Sequence, residues 1–97
     1  MRLSANDIAV IRSLVHDRFG ASAGIWLFGS RLDDAARGGD IDLYVELASP
    51  VRDNLFLARQ ALRRELERRL RQPVDLIVNA GRPTAFMRQA RSEGQPL

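Results

Sequence analysis

Two aspartates separated by one apolar residue, Asp40 and Asp42, follow a glycine-rich bend and open an alternating stretch of the sequence. Residues two apart on a β-strand face the same side, with their Cβ atoms roughly 6 to 7 Å apart. Two carboxylates this close repel each other unless a cation lies between them. Mg²⁺ prefers oxygen ligands and is commonly held by one or two carboxylates together with substrate phosphates. The spacing therefore predicts that the two aspartates bind a metal ion. The alternative is a pair of exposed aspartates beside a Gly-Gly turn, where Asp is common.

Gly29 and Ser30 come directly after the apolar run from Ile25 to Phe28. A Gly-Ser turn after a strand offers free backbone N–H groups and a hydroxyl, and glycine leaves room for close approach, so it can hold an anion. An anion-binding turn and a metal-binding pair of carboxylates together suit a nucleoside triphosphate in complex with magnesium. Arg31, the next residue, either neutralises phosphate charge or takes part in a salt bridge. A serine nucleophile is disfavoured because this stretch lacks the second glycine of a nucleophile elbow.

A third acid, Asp75, stands in a later strand-like stretch and could face the same way as the first two. It could then share a metal or accept the proton of an attacking hydroxyl. The alternative is a strand-edge residue paired with an arginine. The aromatic residues Trp26, Phe28 and Phe56 lie within apolar runs, so they are interpreted as core side chains and not as stacking surfaces for a base.

Hydrophobic periodicity and turn signals predict the elements that must position these residues. Ser4 and Asp7 resemble a capping box at the start of the first helix. Pairs of opposite charge, Glu65 with Arg69 and Glu67 with Arg71, are expected on the longest helix. The predicted elements are a helix over 5–18, a strand over 25–28, one or two helical turns over 31–36, a strand over 40–47, a helix over 51–71, a strand within 72–79 and a helix over 83–91 packed through Phe86.

This order predicts an α+β fold, a small mixed sheet of at least three strands with helices packed on one face. At 97 residues the chain is expected to form a single domain, 1–97, with one small core. A domain of this size buries a modest share of its surface, so a homo- or hetero-oligomer is plausible.

Composition narrows the chemistry. The chain has no cysteine and one histidine, His16, which excludes a disulfide framework and a zinc site built from Cys and His. All 15 basic residues are arginine, and a P-loop nucleotide site is excluded because it requires a lysine to bind the phosphates. The net charge of +3 does not demand a nucleic acid, so none is expected as a partner. No apolar run reaches the length of a membrane span, and a cytoplasmic protein is expected.

The arginine-dense face of the long helix is interpreted as a solvated face partly neutralised by glutamates. A surface for an acidic partner or for RNA is the alternative.

Gly29-Ser30, a spacer of nine residues and then Asp40-Ile41-Asp42-Leu43 resemble the signature of the DNA polymerase beta-like nucleotidyltransferase superfamily. Size and strand order resemble its minimal nucleotidyltransferase (MNT) branch, and the likeness covers nearly the whole chain. The resemblance implies that Gly29 and Ser30 bind the triphosphate, with Arg31 beside them. It also implies that Asp40 and Asp42 ligate two magnesium ions, and that Asp75 completes the metal site and activates the nucleophile.

The implied reaction is transfer of AMP from ATP to a hydroxyl, with release of pyrophosphate. Many MNT proteins resemble antitoxins paired with a HEPN-domain ribonuclease, so the expected acceptor is a tyrosine of such a toxin. The alternative is a catalytically silent antitoxin that neutralises the HEPN ribonuclease by binding alone. Modification of a small molecule such as an aminoglycoside is a third reading, against which stands the lack of any acceptor-binding domain.

Overall fold

The computed structural model describes residues 3–28, 41–48 and 54–97. The helical turns predicted over 31–36 and the first residues of the helix predicted from 51 lie outside these ranges. The elements, in chain order, are α1 (Ala5–Phe19), β1 (Gly24–Phe28), β2 (Ile41–Glu46), α2 (Leu55–Leu70), β3 (Val74–Asn79), α3 (Ala85–Glu93) and β4 (Gln95–Pro96).

The strands form one mixed sheet in the order β3-β2-β1-β4. β1 pairs antiparallel with both β2 and β4, whereas β2 and β3 run parallel and are connected through α2. The α+β prediction and the mixed sheet are confirmed. The fourth strand, β4, was not predicted.

The sheet has one fully apolar face, on which α1 and α2 pack. β2 turns Ile41, Leu43 and Val45 to this face, and all three are fully buried. β1 and β3 supply alternate residues to the same layer, and α1 and α2 cover it with five buried side chains, Ile11, Val15, Leu62, Leu66 and Leu70. The alternation of residues along the strands therefore places every second side chain in the core. None of the helices in the described ranges combines the length and the apolar character that a membrane crossing requires.

The helix ends follow from local hydrogen bonds. The predicted capping box of α1 is present: the Asp7 backbone N–H donates to the Ser4 hydroxyl at 3.0 Å, and the Ser4 N–H donates to the Asp7 carboxylate at 3.3 Å. Asn54 caps α2 without a reciprocal bond: its side-chain oxygen accepts from the N–H groups of Phe56 and Leu57. α2 ends at Arg71, whose left-handed backbone (φ 57°) turns the chain towards β3.

α3 lies on the opposite face of the sheet from α1 and α2, whereas the helices were expected on one face only. It contacts β1 and β2, and Gly94 ends it against the edge of β1. A Cβ at Gly94 would collide with the Ala90 carbonyl oxygen and would lie 2.9 Å from that of Leu27. Only glycine permits this approach, after which Gln95 pairs with Leu27 and starts β4.

Two expectations for α2 were wrong in detail. Phe56 was expected in the core, but 58% of it is exposed. Glu67 was expected to pair with Arg71, but its carboxylate accepts the Val74 backbone N–H at 2.8 Å. Glu65 does form the expected pair with Arg69, at 3.9 Å, and a shorter one with Arg68.

Candidate active site

Asp42 and Asp75 are direct partners across the parallel strands β2 and β3. Residues paired in this way project from the same face, which is the face away from α1 and α2. Asp42 is half-buried and Asp75 is exposed. The two carboxylates that the sequence placed on separate strands are therefore brought together, although no sequence pattern specified that they would share a register.

A row of three residues crosses the sheet at this level, because Phe28 of β1 is the partner of Asp42. Phe28 is the last residue of β1, and Ile41 is the first residue of β2, so the row lies at one end of the sheet. Gly29, Ser30 and Arg31 follow β1 in the sequence, and Asp40 immediately precedes β2. These four predicted site residues lie outside the described residues, so their roles stay predictions.

The chemistry of the described pair suits a hard cation. Like charges directly opposed on adjacent strands repel each other, and a bound cation offsets that repulsion. The donors are carboxylate oxygens, the ligand type that Mg²⁺ prefers. Over the described ranges no cluster of three or more His, Cys, Asp or Glu side chains gathers around a point. The third carboxylate that the sequence proposes, Asp40, is outside those ranges.

Two side chains of α2 hold the strand that carries Asp75. Among the described strands β3 lies at the edge of the sheet, so the N–H and C=O groups on its outer side pair with none of these strands. Glu67 accepts the outer N–H of Val74 at 2.8 Å, and Arg59 donates to the outer carbonyl of Leu76 at 3.3 Å. These contacts lie on both sides of Asp75 along the strand. Sequence reasoning missed them because it paired α2 glutamates only with arginines one turn away.

A buried polar cluster occupies the same face further along the strands. Tyr44 is fully buried, and its hydroxyl donates to Glu46 at 3.0 Å and accepts from the Asn79 amide at 3.4 Å. Arg91 of α3 pairs with Glu46 at 3.0 Å and lies over the Trp26 ring at 5.4 Å. Burial raises the pKa of the Tyr44 phenol above its ordinary value, and the Glu46 carboxylate adds to this effect.

This cluster is structural. Tyr44 is covered by the Trp26 ring, with 5.6 Å between the ring centroids, and presents no surface to a substrate. It attaches α3 to the sheet beside the acidic pair.

Beside the acidic pair itself, α3 places an aromatic side chain. The Phe86 ring meets the Phe28 ring edge to face, with centroids 5.7 Å apart. Phe86 was expected to pack the last helix against the sheet, and this contact does so. Even so, 53% of Phe86 is exposed.

A small mixed sheet with paired carboxylates at the end of adjacent strands, covered on one face by two helices, has the architecture of a nucleotidyltransferase. The sequence profile described as polymerase beta, nucleotidyltransferase, matches residues 6–97. The chain therefore belongs to the polymerase beta nucleotidyltransferase family, and its domain is that of an enzyme class that transfers nucleotides.

Solved structures of toxin-antitoxin complexes contain chains similar to this one. One is a mutant of the toxin-antitoxin MntA-HpeT in which two aspartates two positions apart are replaced by glutamate: it has a TM-score of 0.73 and 29% identity, over 97% of this chain and 71% of the other. A second is a toxin-antitoxin with AMP-PNP, with a TM-score of 0.73 and 30% identity, over 97% and 72%.

A third solved structure that contains a similar chain is a complex of the tri-AMPylated HEPN toxin of Shewanella oneidensis with MNT antitoxin. The TM-score is 0.68 and the identity 30%, over 94% of this chain and 67% of the other. A search of curated proteins found no match. The neighbours therefore place the fold among MNT antitoxins.

Proposed function

We propose that this protein is a magnesium-dependent nucleotidyltransferase that transfers AMP from ATP to a hydroxyl group of a partner HEPN toxin, and so acts as its antitoxin. The observation that carries the proposal is the direct opposition of Asp42 and Asp75 at the end of the sheet. Two solved neighbours support the substrate and the partner, because one holds AMP-PNP and another includes an AMPylated HEPN toxin. We place the protein in the cytoplasm, where its proposed substrate ATP is found.

The predicted site residues have different roles in the proposed reaction. Asp40, Asp42 and Asp75 would hold two magnesium ions. When bound, such ions neutralise the charge of the triphosphate and of the leaving pyrophosphate. Gly29 and Ser30 would bind the triphosphate through backbone N–H groups and a hydroxyl, with the Arg31 guanidinium beside them.

The transfer is a displacement at the α-phosphorus. The acceptor oxygen, from a toxin tyrosine, forms the new bond to phosphorus, and the bond from that phosphorus to the bridging oxygen of pyrophosphate breaks. Asp75 accepts the proton that the hydroxyl loses. Its exposure leaves room for an acceptor to approach from solvent. The remaining contribution of the protein is to position the reactants.

The test uses the purified protein with magnesium, labelled ATP and the product of the neighbouring gene, which the proposal identifies as the HEPN toxin. Mass spectrometry and label counting would follow the wild type, Asp42→Asn and a control, Asp17→Asn, in which an exposed acid on α1 loses its charge. We expect AMP on the toxin with the wild type and the control, and none with Asp42→Asn.

Full transfer by Asp42→Asn would refute the enzyme. A tight complex without any transfer by the wild type would instead favour neutralisation by binding alone.

A further inference from the structure

The exposed ring of Phe86 lies beside the acidic row and on the same face of the sheet. Phe28 is the partner of Asp42, and the Phe86 ring contacts the Phe28 ring. Adjacent strands lie about 4.8 Å apart, so Phe28 is one strand spacing from Asp42 and about 10 Å from Asp75. An aromatic surface therefore extends outward from the metal-binding end of the sheet.

Core packing explains only part of this arrangement. One edge of Phe86 covers Phe28, and its helix is already attached to the sheet through Ala90, which is buried, and through the pair of Arg91 with Glu46. More than half of Phe86 still faces solvent. A smaller apolar residue would cover Phe28 with less exposed area, so packing does not require a large aromatic side chain at this position.

The residues assigned so far to the proposed site bind the metal and the phosphates of a nucleoside triphosphate, and none of them offers a surface to its base. Carboxylates, a Gly-Ser turn and an arginine recognise metal and phosphates, which are the same in every nucleotide. The base has flat apolar faces, and aromatic side chains bind such faces by stacking. In the described parts of the chain, Phe86 is the large exposed aromatic residue next to the acidic pair. Phe56, which is also exposed, is on α2, which packs against the other face.

We propose that Phe86, supported by Phe28, is the stacking platform for the base of the bound nucleoside triphosphate. The proposal rests on the proposed function, since it assigns the base of that nucleotide its place. Stacking accepts every base and favours those that stack most strongly. The platform therefore implies a preference for purine over pyrimidine nucleoside triphosphates, without a strong choice between ATP and GTP.

Binding measurements distinguish the contribution of the base to the affinity from that of the phosphates. Isothermal titration calorimetry would follow Mg·ATP, Mg·CTP and magnesium tripolyphosphate, which has the phosphates without a base. The proteins are the wild type, Phe86→Ala, Phe86→Leu and Phe86→Trp. Phe86→Leu keeps apolar contact with Phe28 if the alanine variant folds poorly. The matched control is Phe56→Ala, which removes a ring of similar exposure elsewhere, since Phe56 is 58% exposed and Phe86 is 53% exposed.

We expect Phe86→Ala and Phe86→Leu to bind Mg·ATP about tenfold more weakly, in line with the loss of one stacked base. Tripolyphosphate affinity should not change, and Phe86→Trp and Phe56→Ala should bind Mg·ATP as the wild type does. Wild-type protein should bind Mg·ATP more tightly than Mg·CTP.

Three results would overturn the platform. Wild-type ATP affinity in Phe86→Ala and Phe86→Leu would do so while leaving the nucleotidyltransferase intact. Equal weakening of ATP and tripolyphosphate would show a structural role for Phe86. Failure of the wild type to bind Mg·ATP, or unchanged binding by Asp42→Asn, would overturn the proposed function together with the platform.

Discussion

Asp42 and Asp75 face each other across two parallel strands, in a register that α2 fixes through the crossover. The crossover ends with the left-handed turn at Arg71, after which the Pro73 carbonyl accepts the Ile41 N–H at 3.0 Å and sets the first rung of the pairing. A shift of one residue would turn Asp75 into the core and Leu76 out of it. Core packing on one face therefore dictates the position of the acids on the other.

The first prediction concerns the separate role of Asp75. Asp75→Asn keeps size and hydrogen-bonding capacity but removes the charge that accepts a proton. We expect Mg·ATP still to bind, because Asp40 and Asp42 remain as metal ligands, while AMP transfer falls by about 10²- to 10⁴-fold, the usual contribution of a general base. Calorimetry and transfer of labelled AMP measure the two quantities, with Asp17→Asn as the control. Loss of binding in parallel with transfer would mean that Asp75 serves only to hold metal and nucleotide.

The second prediction concerns metal binding without turnover. A cation held between carboxylates binds the folded state alone, so Mg²⁺ should raise the free energy of unfolding. At tenfold above its dissociation constant, the gain is about 1.4 kcal/mol. Urea unfolding with Mg²⁺ and with EDTA measures it. Asp42→Asn should lose most of this gain, and Asp17→Asn should keep it. An equal gain in Asp42→Asn would place the cation elsewhere.

The third prediction separates the two kinds of leucine on α2. Leu66 is fully buried, whereas 61% of Leu57 is exposed on the same helix. We expect Leu66→Ala to lower the free energy of unfolding by about 2 to 5 kcal/mol, since it removes buried methyl groups and leaves a cavity. Leu57→Ala should change it by less than about 0.5 kcal/mol. Urea unfolding of both variants tests this, and similar losses would contradict the helix orientation.

The sequence predicted the face of the strand on which a residue lies better than it predicted which residues pair across adjacent strands. Alternation along β2 placed Asp42 and Tyr44 on one face, because successive strand residues point to opposite sides, and alternation along β3 allowed Asp75 to face the same way. It could not predict the register of Asp42 with Asp75, since pairing depends on the length of α2 and on the turn at Arg71.

The errors have local physical causes. Phe56 was placed in the core because it lies in an apolar run, but it follows Leu55 by one residue and is turned by about 100° around the helix. β4 was missed because Gln95 and Pro96 are too few to show alternation, and the strand depends on the close approach of Gly94 to β1. The exposure of Phe56 therefore follows from helix rotation, whereas β4 follows from tertiary geometry.

The last prediction uses the buried phenol of Tyr44. Tyr44 is the chain's one tyrosine and the sequence contains no lysine, so it is the only side chain expected to titrate near pH 10. Burial raises its pKa in the folded state, so the folded protein holds the phenol proton more tightly than the unfolded chain does. The stability from this difference is fully present below the unfolded pKa of about 10, and it is lost as the pH rises through the folded pKa.

Two measurements check this sign. The absorbance change of the phenolate should occur at higher pH in native protein than in urea. Urea unfolding should show that the free energy of unfolding of the wild type falls above about pH 10, by at most about 1.4 kcal/mol per pH unit. Tyr44→Phe should lack this slope, because it has no phenol to titrate. A native phenol that ionises at or below the pH of the denatured one would contradict the burial of Tyr44 beneath the Trp26 ring.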